Sequence, residues 1–124
     1  PAYLAAHGAP AVPGDLKDHV CIRDTNLRGG IEWPLTSGEQ IRRHRVSGRF
    51  RVDNAQVTRD LALAGEGLAL CPDFLVEPNL RDGTLVSVMD RHRGPELDIQ
   101  AVYLASRQLP RKVRVLIEHL ARSF

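Results

Sequence analysis

The sequence predicts an α/β chain with a mixed, mostly parallel sheet flanked by helices. Three observations along residues 46–75 carry that expectation. Val46, Gly48, Phe50 and Val52 alternate with Ser47, Arg49 and Arg51, the period of two of a strand with one buried face. Val57, Leu61 and Ala64 then recur at helical spacing, with Thr58, Arg59 and Glu66 left for the wet side. Leu68, Ala69, Leu70 and Cys71 form a short, wholly apolar run, as in a parallel strand covered on both faces.

The residues between these segments supply the punctuation. Asp53 stops the first strand and has capping-box spacing with Gln56. Gly65 suits a helix stop, because it takes positive φ without a steric penalty. Pro72 ends the apolar run, and Asp73 is placed to cap the next helix. A strand–helix–strand unit of this length crosses over to a parallel neighbour. Ligands of such sheets bind at the carboxyl ends of the strands. Here those ends are Val52-Asp53-Asn54 and Cys71-Pro72-Asp73, each followed by a helix N-terminus that favours an anion or a carbonyl oxygen. The plainer alternative is that Asp53 and Asp73 are ordinary caps.

From the start, PAYLAAHG reads as a short helix between Pro and Gly. A Pro-rich loop and a helical turn lead to Val20-Cys21-Ile22, a short buried strand. RDTNLRGG, residues 23–30, reads as a loop, either a contact loop or a surface connection. Trp33-Pro34 marks an edge strand, since Pro cannot donate to a ladder. Arg42, Arg43, His44 and Arg45 continue toward the strand at Val46; with so few aromatics, a solvated edge fits them better than a nucleic-acid patch. After Asp73 a helix is interrupted by Pro78 near Glu77. Residues 85–89 form the next strand, 90–95 a polar loop and 97–105 a further strand. Pro110 opens a last helix with the stripe Val113, Leu116, Ile117, Leu120 and Ala121.

The bulk numbers exclude several classes. The chain has 124 residues, one domain by length, with 43% hydrophobic and 26% charged residues. A net charge of only +2 gives no global pull toward nucleic acid or membrane, and no apolar run is long enough to span a bilayer. There is no signal-peptide architecture and no initiator Met, so a piece of a longer protein is expected. Cys21 and Cys71 lack the spacing of a zinc site and read as buried thiols in a reducing cytoplasm. The five histidines fall in unrelated elements, and no dinucleotide fingerprint, Walker motif or nucleophile elbow occurs. Cys71 at a strand end could be a nucleophile, but no base is identifiable, and a lining residue explains it better. Neither an enzyme nor a bound cofactor or metal is expected.

These residues together resemble the effector-binding part of LysR-type transcriptional regulators. The resemblance rests on PAYLAAHG, on Leu16, His19, Cys21 and Ile22, on Trp33, and on VSGRFRVDN, LALAGEGLALCPDFLVEPNL, DGTLVSV and AVYLASRQLPRKVRVLIEHL. It covers essentially the whole chain. It implies a lobe of a type 2 periplasmic-binding-protein fold, with residues 1–96 as the second lobe and 97–124 as a returning crossover strand and helix that pack on a missing first lobe. It implies a small-molecule inducer bound between lobes, pairing into a homodimer or higher homo-oligomer, and DNA contact only through an N-terminal winged helix-turn-helix absent from this chain. By position, the effector residues would be Thr25, Asn26, Asp53, Asn54, Cys71, Pro72 and Asp73. Thr58, Arg59, Ala62 and Leu63 would lie at the dimer interface. The mechanism implied is a shift of population rather than chemistry. A lobe of a transport-type solute-binding protein is the alternative of the same fold; a dimerisation module alone is another.

Overall fold

The structure is a computed structural model. It describes residues 1–27, 30–96, 100, 102 and 110–123. The strand expected over 97–105 falls outside the described residues, apart from Gln100 and Val102.

Helix α1 (Ala2–His7) anchors the chain through Tyr3, the one buried side chain of that helix. The Tyr3 hydroxyl accepts from the Val20 amide at 2.8 Å and is hydrogen-bonded with His19 Nδ1 at 3.2 Å. That pair brings a buried phenol and a buried imidazole into one satisfied network at the entry to strand β1 (Cys21–Asp24). Arg23 and Asp24 are therefore strand residues, not the start of a loop. Strand β1 is the centre of a three-stranded parallel sheet, between β4 (Arg51–Val52) and β5 (Leu68–Ala69). Arg23 stands opposite Arg51, and Cys21 opposite Leu68. Glycine lets both neighbours come close. A Cβ at Gly48 would collide with the Cys21 carbonyl, and one at Gly67 would sit 2.5 Å from the Val20 carbonyl oxygen.

This order corrects one expectation. The strands joined by helix α2 (Ala55–Leu63) are parallel but not neighbours, because β1 lies between them. The ladder on β4 is also shorter than its alternation suggested, being reduced before Arg51 to a bridge between Val20 and Ser47.

The sheet alternates its faces. Cys21 and its in-register partner Leu68 join Tyr3, Leu16, Trp33, Leu35 and Val46 in the main core. Ile22, on the other face, is 1% exposed, and α2 packs across β1 there with Thr58 wholly buried. Cys21 and Cys71 are both free; alternation puts them on opposite faces of the sheet. The core is roofed by an antiparallel hairpin, β2 (Glu32–Ser37) and β3 (Gln40–Arg45). Trp33 and Leu35 point into the core, while β3 exposes its arginines, so the basic cluster is a solvated edge strand. Thr36 ties β2 to the loop after residue 90: its amide donates to the Arg93 carbonyl, and its hydroxyl accepts from the Arg93 amide, both at 2.8 Å.

Helix α2 ends in a Schellman motif, with the Gly65 amide on the Ala62 carbonyl and the Glu66 amide on the Leu61 carbonyl. Gly65 takes φ 78°, as the sequence indicated. Helix α3 (Asp73–Arg81) runs through Pro78 rather than breaking at it. Only the hydrogen bond to the Phe74 carbonyl is forfeited there, one turn before the end. Residues 85–89 form no strand. Met89 has φ 57°, and the His92 amide closes a turn onto its carbonyl, which is incompatible with an extended ladder. Val88 and Met89 still pack on the core. Helix α4 (Arg111–Ser123) carries the expected stripe, with Leu116 56% and Leu120 39% exposed.

Candidate functional site

The carboxyl ends of β4, β1 and β5 lie along one edge of the sheet, because all three strands are parallel. The edge is built from three junctions where the sequence indicated two. Thr25 continues the ladder, its amide donating to the Val52 carbonyl at 2.7 Å. Asp24, 6% exposed, then turns the chain: its carboxylate accepts the Asn26 amide at 2.8 Å. The Asn26 side-chain amide donates across to the Asp53 carbonyl. Four of the seven expected effector residues, Thr25, Asn26, Asp53 and Asn54, thus meet at the β1–β4 end.

Asn54, not Asp53, caps α2. Its Oδ1 accepts from the Gln56 amide at 2.8 Å and the Val57 amide at 3.2 Å. The cap shifts by one residue because β4 extends to Val52 and Asp53 is used as a bend. Asp73 is the first helical residue of α3, not its cap, and its carboxylate accepts the Phe74 amide at 2.8 Å. Pro72 occupies the cap position with extended backbone, pre-set by its ring.

Cys71 lies on the α2 side of the edge, close enough to Asp24 and Arg59 for their charges to act on its thiol. Burial pushes that thiol up to about 11, the Asp24 carboxylate adds to the shift, and Arg59 opposes it. Burial alone takes Cys21 up to about 12. Neither is a thiolate at neutral pH, which removes the activation a nucleophile needs. Arg59 was expected on a dimer face; here it forks onto Asp60 at 3.0 and 2.8 Å and faces Cys71 electrostatically. Thr58 offers no side-chain surface to a second copy, being buried with its hydroxyl on the Asn54 carbonyl at 3.1 Å. Ala62 is half-buried and Leu63 38% exposed.

Two further residues belong to the edge. Arg23 and Arg51 share a register on adjacent strands and line a hollow of about 250 Å³ with Thr25, Gly30 and Ile31. Alternation alone could have found them, had Arg23 been read as strand. A larger hollow of about 330 Å³ sits at the amino end of the sheet, lined by Tyr3, His7, Val20, Arg49, Gly65 and Glu66. Its charges are spent on each other, since Arg49 pairs with Glu66. Among the described residues there is no cluster suited to a metal ion, and no helix is long and apolar enough to cross a membrane.

Residues 1–124 match the family described as LysR substrate binding domain. An HTH-type transcriptional regulator of Xanthomonas campestris is 27% identical over 124 residues, covering 97% of this chain and 36% of that regulator. The regulatory domain of AphB from Vibrio vulnificus superposes with a TM-score of 0.78 at 28% identity, covering 100% of this chain and 61% of that one. The regulatory domain of CrgA, a LysR-type regulator of Neisseria meningitidis, does so with a TM-score of 0.79 at 26% identity, covering 99% and 60%. The chain therefore spans little more than a third of the length of that full regulator and about three fifths of the regulatory domains.

Proposed function

We propose, from the premise that this chain belongs to the LysR substrate binding domain family, that it senses a small-molecule inducer for a bacterial transcription regulator. Residues 1–96 would be the second lobe of a two-lobed sensor of periplasmic-binding-protein-like fold. Residues 97–124 would return to a first lobe supplied elsewhere in a longer protein. The inducer would sit on the carboxyl edge, against Thr25, Asn26, Asp53, Asn54, Cys71, Pro72 and Asp73. Arg59, Ala62 and Leu63 on α2 would contribute to pairing between copies. DNA would be held by a separate helix-turn-helix domain, which places the work in the cytoplasm.

The observation that supports this reading best is the convergence of three parallel strand ends, two of them running into helix N-termini, on one edge of the sheet. A ligand there would act only through unequal affinity for two lobe arrangements. The relatives are regulators, which disfavours the transport reading, and the protonated thiols give no support to catalysis. The test uses the parent-length protein: a metabolite that raises its melting temperature should also shift its affinity for operator DNA. A stabilising ligand without any change in DNA binding would reject the proposal.

A further inference from the structure

Arg23 and Arg51 are two uncompensated cations at the carboxyl edge. They stand opposite each other in a parallel ladder, so their side chains leave the same face of the sheet about 5 Å apart at the backbone. That face is the hairpin side, opposite α2, since Arg23 follows Cys21 by two residues. Among the described residues neither guanidinium has a carboxylate partner. Arg23 Nε is in addition buried with no hydrogen-bond partner there. Arg23 as a whole is half-buried, but a buried donor atom without an acceptor is costly, and a like charge beside it adds to the cost. The carboxylates of this edge do not relieve it: Asp73 accepts its own helix amide, Asp24 is on the other face, turned to Asn26, and Asp53, two residues after Arg51, makes no ion pair with either arginine.

We propose that Arg23 and Arg51, with the Thr25 hydroxyl, seat one oxyanion group of the effector, a carboxylate or a phosphate. This rests on the sensor reading above and names the chemistry of that site. Guanidinium forks match the planar spacing of two oxyanion oxygens, and an anion there would neutralise the pair and satisfy Nε together. The hollow, about 250 Å³, is smaller than the roughly 300–1,000 Å³ of a whole ligand pocket. It suits one anionic group, with the remainder of the molecule extending over the edge toward Asn26.

The test is an NMR titration of this chain with inorganic phosphate and, separately, acetate, at ionic strength held constant with chloride. Saturable shifts at the Thr25 and Ile31 amides and at Arg23 Nε–H are expected. Arg51 is exposed, so Arg51→Gln leaves the fold intact and should weaken binding on the order of tenfold; Arg51→Lys should fall between. Response to acetate alone, or to phosphate alone, assigns a carboxylate or a phosphoryl effector; response to both supports the shared chemistry. No saturable shift with either anion, a response matched by chloride, or Arg51→Gln binding like the parent would overturn the proposal. A silent titration beside a parent-length protein that still answers an inducer on DNA would reject the oxyanion seat alone and leave the sensor reading standing.

Discussion

Replacing Asn54 by Ala tests where α2 begins, and hence where the β4 junction of the site is set. Asn54 Oδ1 accepts two of the four amides that the first turn leaves without partners. Both lie at the exposed end of the helix, so water replaces the lost acceptor in the variant. The cost is then that of a lost cap, about 1–2 kcal/mol, and not that of two buried orphans. In urea unfolding at neutral pH this appears as a lower midpoint at unchanged slope. Asp53→Ala is the control that makes the test sharp. The sequence pattern assigned the cap to Asp53, yet in the structure only its backbone carbonyl is engaged, by Asn26. The variant keeps that carbonyl, so a change within about 0.5 kcal/mol is expected, as for an ordinary surface site. Asn54→Asp should retain most of the stability. If Asp53→Ala cost more than Asn54→Ala, the helix would start one residue earlier and the geometry of the junction would be wrong.

Three other outcomes follow from the same structure. The thiols of Cys71 and Cys21, raised from 9.0 to about 11 and about 12, should react slowly with iodoacetamide at pH 8 in the folded chain, Cys71 before Cys21, and both rapidly in urea. Because the folded values lie above the unfolded one, their contribution to stability is present below about pH 9 and lost as pH rises through 11 to 12; Cys71→Ala should flatten part of that alkaline loss, and an unchanged profile would contradict the burial. The exposed α4 stripe around Leu116 and Leu120 should drive self-association, so light scattering should report a mass above that of one chain, reduced by Leu116→Asp. A monodisperse monomer at high concentration would refute it.

How much was legible in the residues depended on whether the signal was local. The presence of helix α2, the Gly65 stop, the edge character of Trp33-Pro34 and the apolar run at Leu68 each follow from neighbours a few positions apart, and each corresponds to a feature of the structure; the face of α2 does not, since Thr58, read as wet, is buried and Val57 is 44% exposed. Strand order was not local. Nothing between Asp53 and Leu68 reveals that β1 is inserted between the two strands they belong to, because that choice is made by Gly48 and Gly67 closing on the Val20–Cys21 backbone from either side. Residues 85–89 misled for a related reason. Their apolar character serves packing of the adjacent Val88 and Met89 on the core, while a positive φ at Met89 denies them a ladder. At the site, Arg23 was hidden by its neighbours: a charged pair beside Thr and Asn reads as loop, yet it completes a strand whose other half is Cys21-Ile22.

The central position of β1 makes the Asn26 side chain the tie between two of the three junctions, and this can be tested directly. Its amide donates to the Asp53 carbonyl immediately before the α2 cap, while its own backbone is held by the buried Asp24 carboxylate. Asn26→Ala removes the first of these and leaves the second. Both partners of the lost bond are exposed, so the global cost should stay near 1 kcal/mol or below. The local effect should be larger than the global one. With the tie gone, the Gln56 and Val57 amides held by Asn54 at the α2 start and the Thr25 amide on the Val52 carbonyl should exchange faster with solvent, while amides of β5 and α3 keep their protection. Equal protection loss across all three junctions would mean that the edge opens as one unit, with β1 imposing no order on it. Unchanged exchange at Gln56 and Val57 would mean that the cap alone holds the junction and Asn26 ties nothing.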